Sequence, residues 1–125
     1  MSILQITSTA TTPEINFNAI TGVLAIEGRS VLNNPETFYR PIINWLDRYL
    51  TEPRPHTTLN IYFDYVSTVS VEFLFELFRI MKKLAETGNT ISINWNYQQG
   101  DEDMKETGEE YADATGLKFE FVEQE

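Results

Sequence analysis

The stretch that decides the fold is residues 61–84, "IYFDYVSTVSVEFLFELFRIMKKL". Its first part alternates apolar and polar side chains, which is typical of a β-strand with one buried face. Its last part repeats apolar residues at helical spacing and predicts an α-helix over about residues 69–87, ended by Gly88. Between the two lies a turn that carries three hydroxyl groups, on Ser67, Thr68 and Ser70. The question for function is why hydroxyl groups are concentrated at this junction.

The same two periods extend along the rest of the chain. Upstream, turn-forming "TTP" and "ITG" pieces break two strand regions, and a helix capped by Asn34 follows. These upstream elements cover residues 3–8, 14–28 and about 35–51. Pro41 lies inside the predicted helix and lacks an amide hydrogen, so a kink or a late helix start is expected there. Downstream, a strand over 91–97, an acidic helix that ends at Gly116 and a last strand over 117–121 complete the pattern.

The predicted fold is therefore a single α/β domain over residues 1–125 with the order ββαβαβαβ. The first strands are expected to be antiparallel, and the strands joined by helices to be parallel with right-handed crossovers, which gives a mixed, mostly parallel sheet. Strands that are buried on both faces are usually continuous apolar runs, whereas these strands alternate. Their polar positions are Asn60, Asp64, Ser92, Asn94, Asn96, Lys118 and Glu120. We expect the helices to cover mainly one face of the sheet.

Composition excludes several classes of function. The chain has no cysteine, which rules out disulfides, thiolate metal sites and a cysteine nucleophile. Its formal charge is −10, and a surface of this sign disfavours binding to nucleic acid or to anionic membranes. There is neither a signal-peptide pattern nor an apolar run of membrane-spanning length, so a cytoplasmic location is expected. Another protein is the better candidate for a partner.

Motif inspection predicts no catalytic residues, no metal site and no cofactor. His56 is the only histidine, so neither a serine triad nor a histidine metal cage can be assembled. The acidic segment that begins at Asp101 resembles a calcium loop, but Glu106 and Ala112 stand where that loop requires glycine and glutamate. The glycines do not cluster as phosphate-binding or dinucleotide-binding loops require. These observations favour a protein that is not an enzyme.

A helical projection of the second helix isolates a possible binding strip. With Leu77 facing the core, Phe75 falls almost opposite the apolar sector, beside Val71. Thr68 precedes Phe75 by two helical turns and is predicted to point the same way, whereas Ser70 is predicted to face the sheet. The predicted partner surface comprises the strip and its neighbours: Tyr65, Ser67, Thr68, Val71, Glu72, Phe75 and Arg79.

Two interpretations of the turn remain open from the residues alone. A phosphate on Thr68 would add about −1.5 to −2 charges and put water into an otherwise apolar contact. Alternatively, Ser67 or Thr68 caps the helix by accepting a hydrogen bond from a backbone amide, a contribution of about 1 kcal/mol. The two roles are compatible.

The turn "YVSTVS" resembles that of the SiaC family of bacterial regulatory phosphoproteins. Further matches are the "TTPEI" opening, the "NWLDRYL" helix within "FYRPIINWLDRYL", and the W-x-Y end of "ISINWNY", so the resemblance covers nearly the whole chain. It implies a fold similar to the STAS domains of anti-sigma-factor antagonists. The family's modified threonine falls on Thr68. Ser67 stands where relatives can carry asparagine, so Ser67 and Ser70 stay open as alternative sites.

The resemblance also implies a partner-switching mechanism. A serine/threonine kinase would phosphorylate the protein and a PP2C-type phosphatase would restore it. The unmodified form would bind and activate a diguanylate cyclase, which raises cyclic-di-GMP and favours biofilm formation.

The alternative function is that of a small-molecule enzyme or sensor with a pocket at the carboxyl ends of the parallel strands. Asp64, Tyr65 and Ser67 would line that pocket.

Overall fold

The computed structural model describes residues 3–125, apart from the side chain of Val69. The six strands are β1 (Ile3–Ile6), β2 (Glu14–Asn18), β3 (Val23–Ser30), β4 (His56–Val66), β5 (Thr90–Gln98) and β6 (Phe119–Gln124). The three helices are α1 (Pro35–Tyr49), α2 (Val71–Glu86) and α3 (Glu102–Thr115). A single 3-10 turn, Thr68–Ser70, directly precedes α2.

The strands form one mixed sheet in which their spatial order follows the chain from β1 to β6. The pairs from β1 to β3 are antiparallel, and those from β3 to β6 are parallel. The α/β class and the mostly parallel sheet are thus confirmed. Each parallel connection contains one helix, as a crossover between neighbouring parallel strands requires.

The N-terminal region holds one strand more than the predicted order. Residues 14–28 contain two strands rather than one, because the chain reverses between β2 and β3. Gly22 at this reversal has φ +77°, and a Cβ there would lie 2.6 Å from the carbonyl oxygen of His56. Glycine is therefore the residue that fits this position, and the observed order is βββαβαβαβ.

The hydrophobic core lies between one face of the sheet and the helices. Alternate residues of β2 to β5, with one residue of β6, point into it and are buried: Ile15, Phe17, Leu24, Ile26, Leu59, Ile61, Phe63, Ile93, Trp95, Tyr97 and Phe119. The residues between them on the other face are polar and hydrogen-bond across strands, for example Asn94 to Asn60 at 2.7 Å and Gln124 to Asn96 at 2.8 Å. The prediction that helices cover one face of the sheet is confirmed.

Most helix ends follow local sequence signals, although the Asn34 side chain, predicted to cap α1, makes no capping hydrogen bond. Pro35 occupies the first turn of α1, and the helix continues through the exposed Pro41, so the late start considered from the sequence does not occur. Gly88 follows α2 with φ +90°, in the left-handed conformation that was predicted to end the helix. The Asp101 side chain caps α3 by accepting a hydrogen bond from the amide of Met104 at 3.1 Å.

Candidate functional site

The hydroxyl-bearing turn between β4 and α2 is tied to the end of the neighbouring strand. The amide of Ser67 donates a hydrogen bond to the carbonyl oxygen of Ser30, the last residue of β3, at 2.8 Å. The amide of Ser70 donates to the carbonyl oxygen of Ser67 at 3.1 Å and closes the 3-10 turn. The position of the turn is therefore set by the sheet as well as by the helix that follows.

The three hydroxyl groups of the turn have different environments. Ser70 is 0% exposed, Ser67 is half-buried and Thr68 is exposed. The Ser70 oxygen lies 3.1 Å from that of Ser67 and 3.0 Å from that of Ser30. Ser30 in turn shares a 2.6 Å hydrogen bond with the hydroxyl of Tyr39. We call these four connected groups, Tyr39, Ser30, Ser70 and Ser67, the hydroxyl chain.

The hydroxyl chain consists of neutral groups that can both donate and accept. Burial raises the pKa of the Tyr39 phenol above its ordinary value, so this end of the chain stays protonated. At the other end, neither the Ser67 nor the Ser70 side chain, both of them in the described region, accepts a hydrogen bond from a backbone amide. The helix-capping interpretation therefore does not account for these two serines, because their hydroxyl groups bond to one another.

A groove of about 240 Å³ opens beside Thr68, between the start of α2 and α3. We call it the α2/α3 groove. Its lining residues are Val66, Thr68, Val71, Phe75, Thr107, Glu110 and Tyr111. Apolar side chains thus form most of its walls, and Thr68 and Glu110 bring polar groups to them. The groove joins three of the predicted partner-surface residues, Thr68, Val71 and Phe75, with three residues of α3.

The position of Phe75 differs from the sequence-based expectation. Phe75 is half-buried rather than fully exposed, and its ring meets that of Tyr111 edge-on with 5.0 Å between centroids. The reason is that α2 has α3 as a neighbour, so a side chain opposite Leu77 still finds a packing partner. The predicted strip is therefore a wall of a groove and not an exposed ridge.

Sequence reasoning missed the contribution of α3. The predicted acidic helix contributed no residue to the predicted partner surface, yet it places Thr107, Glu110 and Tyr111 along the groove. The available signal was the spacing of Met104 and Tyr111, two apolar residues seven positions apart that mark a buried helix face.

Tyr111 has a buried polar group at the groove. The residue is 3% exposed, and its hydroxyl has no hydrogen-bond partner within the described part of the chain. Burial raises the pKa of this phenol well above its ordinary range, so it remains a potential hydrogen-bond donor. A buried donor without an acceptor costs about 1–3 kcal/mol, and a bound acceptor would recover this only if the side chains around the enclosed hydroxyl move.

The other predicted partner-surface residues lie outside the α2/α3 groove. Tyr65 is 49% exposed, with the Arg29 guanidinium 5.5 Å from its ring centre. Glu72 is exposed on α2. Arg79 borders a different depression of about 170 Å³, which we call the α1/α2 groove. The lining residues of that groove are Arg40, Ile43, Asp47, Glu76, Arg79, Ile80 and Lys83.

The alternative pocket at the carboxyl ends of the strands is only partly as expected. An open cavity of about 450 Å³ lies there, lined by Glu27, Gly28, Tyr62, Asp64, Gln98 and Asp101. Asp64 belongs to it, whereas Tyr65 and Ser67 do not. Within residues 3–125, no group of three or more histidine or acidic side chains is arranged to hold a metal ion. His56, at the surface, hydrogen-bonds to Thr90 at 2.6 Å and to Ser92 at 3.1 Å.

None of the helices described here is long and apolar enough to cross a membrane. The fold and the turn define a small α/β domain with an exposed hydroxyl-bearing residue, Thr68, at a helix start beside an apolar groove. This arrangement is suited to protein regulation. A model of the family described as "SiaC family regulatory phosphoprotein" matches residues 6–124. The chain therefore belongs to the SiaC family of regulatory phosphoproteins.

Individual relatives share the fold at low sequence identity. Uncharacterized protein PA14_02130 of Pseudomonas aeruginosa (strain UCBPP-PA14) is 25% identical over 119 residues, which cover 95% of this chain and 94% of that protein. A chain in the crystal structure of the diguanylate cyclase SiaD in complex with its activator SiaC, from Pseudomonas aeruginosa, superimposes with a TM-score of 0.90 at 23% identity, covering 97% of this chain and 99% of that one. Apo-SiaC from the same species gives a TM-score of 0.84 at 23% identity, with full coverage of both chains.

Proposed function

We propose that this protein is a partner-switching regulator whose state is set by reversible phosphorylation of Thr68, and that its unmodified form binds and activates a diguanylate cyclase. The observation that carries the proposal is the position of Thr68, the exposed member of the three hydroxyl-bearing residues in the turn, at the α2/α3 groove. Support for the choice of partner comes from SiaC of Pseudomonas aeruginosa, which is described as the activator of the diguanylate cyclase SiaD.

Phosphorylation of Thr68 would oppose docking for an electrostatic reason. The phosphate adds about −1.5 to −2 charges at a groove lined by Val66, Val71 and Phe75. A partner that covers these apolar side chains would have to remove water from the dianion, at a cost of several kcal/mol when no cation pairs with it. Glu110 lines the same groove and adds repulsion rather than compensation. The modified form is therefore the released form.

The unmodified groove suits a partner with a specific chemistry. A cavity of about 240 Å³ accommodates one or two apolar side chains, and Phe75 and Tyr111 offer aromatic contact area for them. The Tyr111 hydroxyl is enclosed in the free protein, so an acceptor on the docked segment would reach it only if the groove opens on binding. We therefore place the cyclase contact at this groove, with an apolar anchor and an oxygen acceptor supplied by the partner.

The remaining assignments follow from this mechanism. A serine/threonine kinase adds the phosphate and a PP2C-type phosphatase removes it. The protein itself acts by binding rather than by catalysis. Its place of action is the cytoplasm, where the kinase has ATP.

The site assignment is tested by intact-mass measurement after incubation with the cognate kinase and ATP. We expect one added phosphate on the wild type and on Thr68→Ser, which keeps the hydroxyl. Thr68→Val has nearly the same shape without the hydroxyl, and we expect it to gain only a trace. Full phosphorylation of Thr68→Val would show that the site is wrong.

The switch itself is tested with the purified cognate cyclase, by calorimetric titration and by the rate of cyclic-di-GMP synthesis. We expect the unmodified protein to bind and to raise the rate, and the phosphorylated protein to bind roughly a hundredfold more weakly, a difference of about 2.7 kcal/mol. Thr68→Val serves as the control, because it should bind like the wild type whether or not kinase is added. Equal affinity of the modified and unmodified forms would overturn the proposed function.

A further inference from the structure

We propose that the hydroxyl chain determines which oxygen of the turn is phosphorylated, by holding Ser67 and Ser70 away from the kinase. This inference rests on the proposed function, since it concerns the same modification. Three hydroxyl groups occur within four residues, at 67, 68 and 70, so a kinase docked at this turn has three candidate acceptors close together in the chain. Sequence alone left the choice between them open.

The geometry separates the three groups clearly. The Ser70 oxygen is fully enclosed and lies within hydrogen-bond distance of two other hydroxyl groups. The Ser67 oxygen is bound to Ser70, and the Ser67 amide is bound to the Ser30 carbonyl, so this residue is held by both its backbone and its side chain. Thr68 lies between these two anchored serines and is exposed.

The hydroxyl chain extends into the core, which makes it resistant to local motion. Ser30 is 0% exposed, and it links Ser70 to the phenol of Tyr39. The Tyr39 ring stacks on that of Phe73, with centroids 5.5 Å apart and planes 15° from parallel. Release of Ser67 therefore requires the loss of a hydrogen bond that is coupled to two buried ones.

The chemistry of transfer explains why such anchoring selects the site. The attacking hydroxyl oxygen forms a bond to the γ-phosphorus of ATP, while the bond from that phosphorus to the bridging oxygen breaks and ADP leaves with the electron pair. The hydroxyl proton passes to the kinase's catalytic base. This needs an oxygen that can align with the leaving group. Thr68 can meet that requirement without breaking the hydroxyl chain, whereas Ser67 cannot.

The experiment uses the full chain with the cognate kinase and ATP, and fragmentation mass spectrometry locates the phosphate. In a Thr68→Val background, Ser67 becomes the nearest remaining acceptor. Adding Ser70→Ala removes its hydroxyl partner, and we expect phosphorylation of Ser67 to rise roughly five- to tenfold, the factor that corresponds to losing one hydrogen bond of ordinary strength. Tyr39→Phe is the second variant. It keeps the ring, breaks the far end of the hydroxyl chain, and should also raise phosphorylation of Ser67.

The matched control is Thr57→Val in the same background. Thr57 is also 0% exposed, and its hydroxyl shares a 2.8 Å hydrogen bond with Tyr49, away from the turn. It should reduce stability to a similar degree without changing phosphorylation of Ser67. The inference is overturned if Ser70→Ala and Tyr39→Phe leave Ser67 unmodified, if Thr57→Val raises Ser67 phosphorylation as much, or if Thr68→Val alone is modified on Ser67 at the wild-type rate. A wild type that gains no phosphate would instead refute the proposed function.

Discussion

The two grooves that flank α2 differ in the polarity of the side chains that line them. In the α1/α2 groove, Arg40 from α1 bonds to Glu76 of α2 at 3.2 Å and to Glu36 one turn earlier at 2.9 Å. In the α2/α3 groove, the surfaces are mostly apolar and the Tyr111 hydroxyl has no partner in the part of the chain that the structure describes. Five of the seven side chains that line the first groove are charged, and two of these five, Arg40 and Glu76, are paired with each other, whereas the second groove is lined mostly by apolar side chains.

This difference indicates on which side of α2 a partner is recognised. A groove lined mostly by charged side chains offers a partner little, because those charges would have to be desolvated. A groove with apolar walls and a buried donor that lacks an acceptor gains from being covered. Thr68 stands beside the second groove and not the first. Substitutions on the two sides of α2 should therefore differ in their effects on stability and on affinity for the cyclase.

The largest effect is expected from Gly108→Val, because Gly108 is where α3 touches the sheet. A Cβ at this position would lie 2.5 Å from Cδ1 and Nε1 of Trp95, whose ring is fully buried and whose Nε1 donates to the Met104 carbonyl at 2.9 Å. The buried, hydrogen-bonded Trp95 ring cannot move aside easily. We expect a loss of about 3 kcal/mol in the free energy of unfolding, measured by urea denaturation.

Glu109→Val controls for the lower helix propensity of valine. Glu109 is the exposed neighbour of Gly108 on α3, and we expect its substitution to cost less than about 0.5 kcal/mol. If the two variants lose similar stability, the close packing of α3 on Trp95 is incorrect, and the shape of the α2/α3 groove would have to be revised.

A smaller effect on stability, combined with an effect on binding, is expected from Phe75→Ala. Phe75 is half-buried against Tyr111, so removal of its ring should cost about 2 kcal/mol of stability, below the range for a fully buried phenylalanine. It should also weaken binding to the cyclase, because the ring forms a wall of the α2/α3 groove.

Ile80→Ala is the matched variant from the opposite side of α2. Ile80 is buried at the α1/α2 groove, and its truncation should cost about as much stability. Calorimetric titration with the cyclase should show an unchanged affinity for this variant once its folded fraction is taken into account. Equal losses of affinity in both variants would mean that the grooves do not differ in function.

Most of the fold could be predicted from the sequence because its signals are local. The period of two in Ile61, Phe63 and their neighbours fixes which face of β4 is buried, and the same argument applies to β5. The "ITG" turn that ends at Gly22 was recognised, but not as the boundary between two strands. Its significance depends on the carbonyl of His56, a residue 34 positions away that no local pattern brings near.

The site could be predicted only in part, for the same physical reason. The exposure of Thr68 and the inward direction of Ser70 follow from the position of the turn at the start of a helix. The burial of Phe75 depends on α3, and the partner of Ser70 is Ser30, 40 residues earlier. A helical projection treats a helix as packed on one surface, whereas α2 packs against the sheet and two other helices.

A smaller effect on stability and on cyclase affinity is expected from Tyr111→Phe. In the free protein, the substitution removes an unpaired buried hydroxyl, so stability should be unchanged or rise by up to about 1 kcal/mol. Binding to the cyclase should fall by roughly fivefold, because the hydrogen bond that the partner provides is lost.

Tyr49→Phe should behave in the opposite way. The Tyr49 hydroxyl shares a hydrogen bond with Thr57 at 2.8 Å and accepts one from the amide of Arg54 at 3.2 Å. Its removal should reduce stability by about 1–3 kcal/mol and leave cyclase affinity unchanged. A Tyr111→Phe variant that loses stability and keeps full affinity would show that its hydroxyl is satisfied within the free protein.

The smallest effect is expected from Arg40→Met, which opens the ion pairs of the α1/α2 groove. The hydrogen bond from Arg40 holds the pKa of the Glu36 carboxyl below its ordinary value of 4.5. A lowered folded-state pKa means that the pair stabilises the protein above pH 4.5 and that this contribution is lost as the pH falls through the folded-state value. Urea denaturation between pH 7 and pH 3 should therefore show a small stability difference between wild type and variant that shrinks towards the acid end.

Glu36→Gln supplies the control for this pH dependence, because in that background Arg40→Met should produce a difference that varies less with pH. Neither substitution should alter affinity for the cyclase, since both residues lie on the side of α2 away from Thr68. The comparison of the two grooves requires this result. If Arg40→Met weakened cyclase binding as much as Tyr111→Phe, the partner would have to cover the α1/α2 groove as well, and the charged lining would not be what keeps that groove free of a partner.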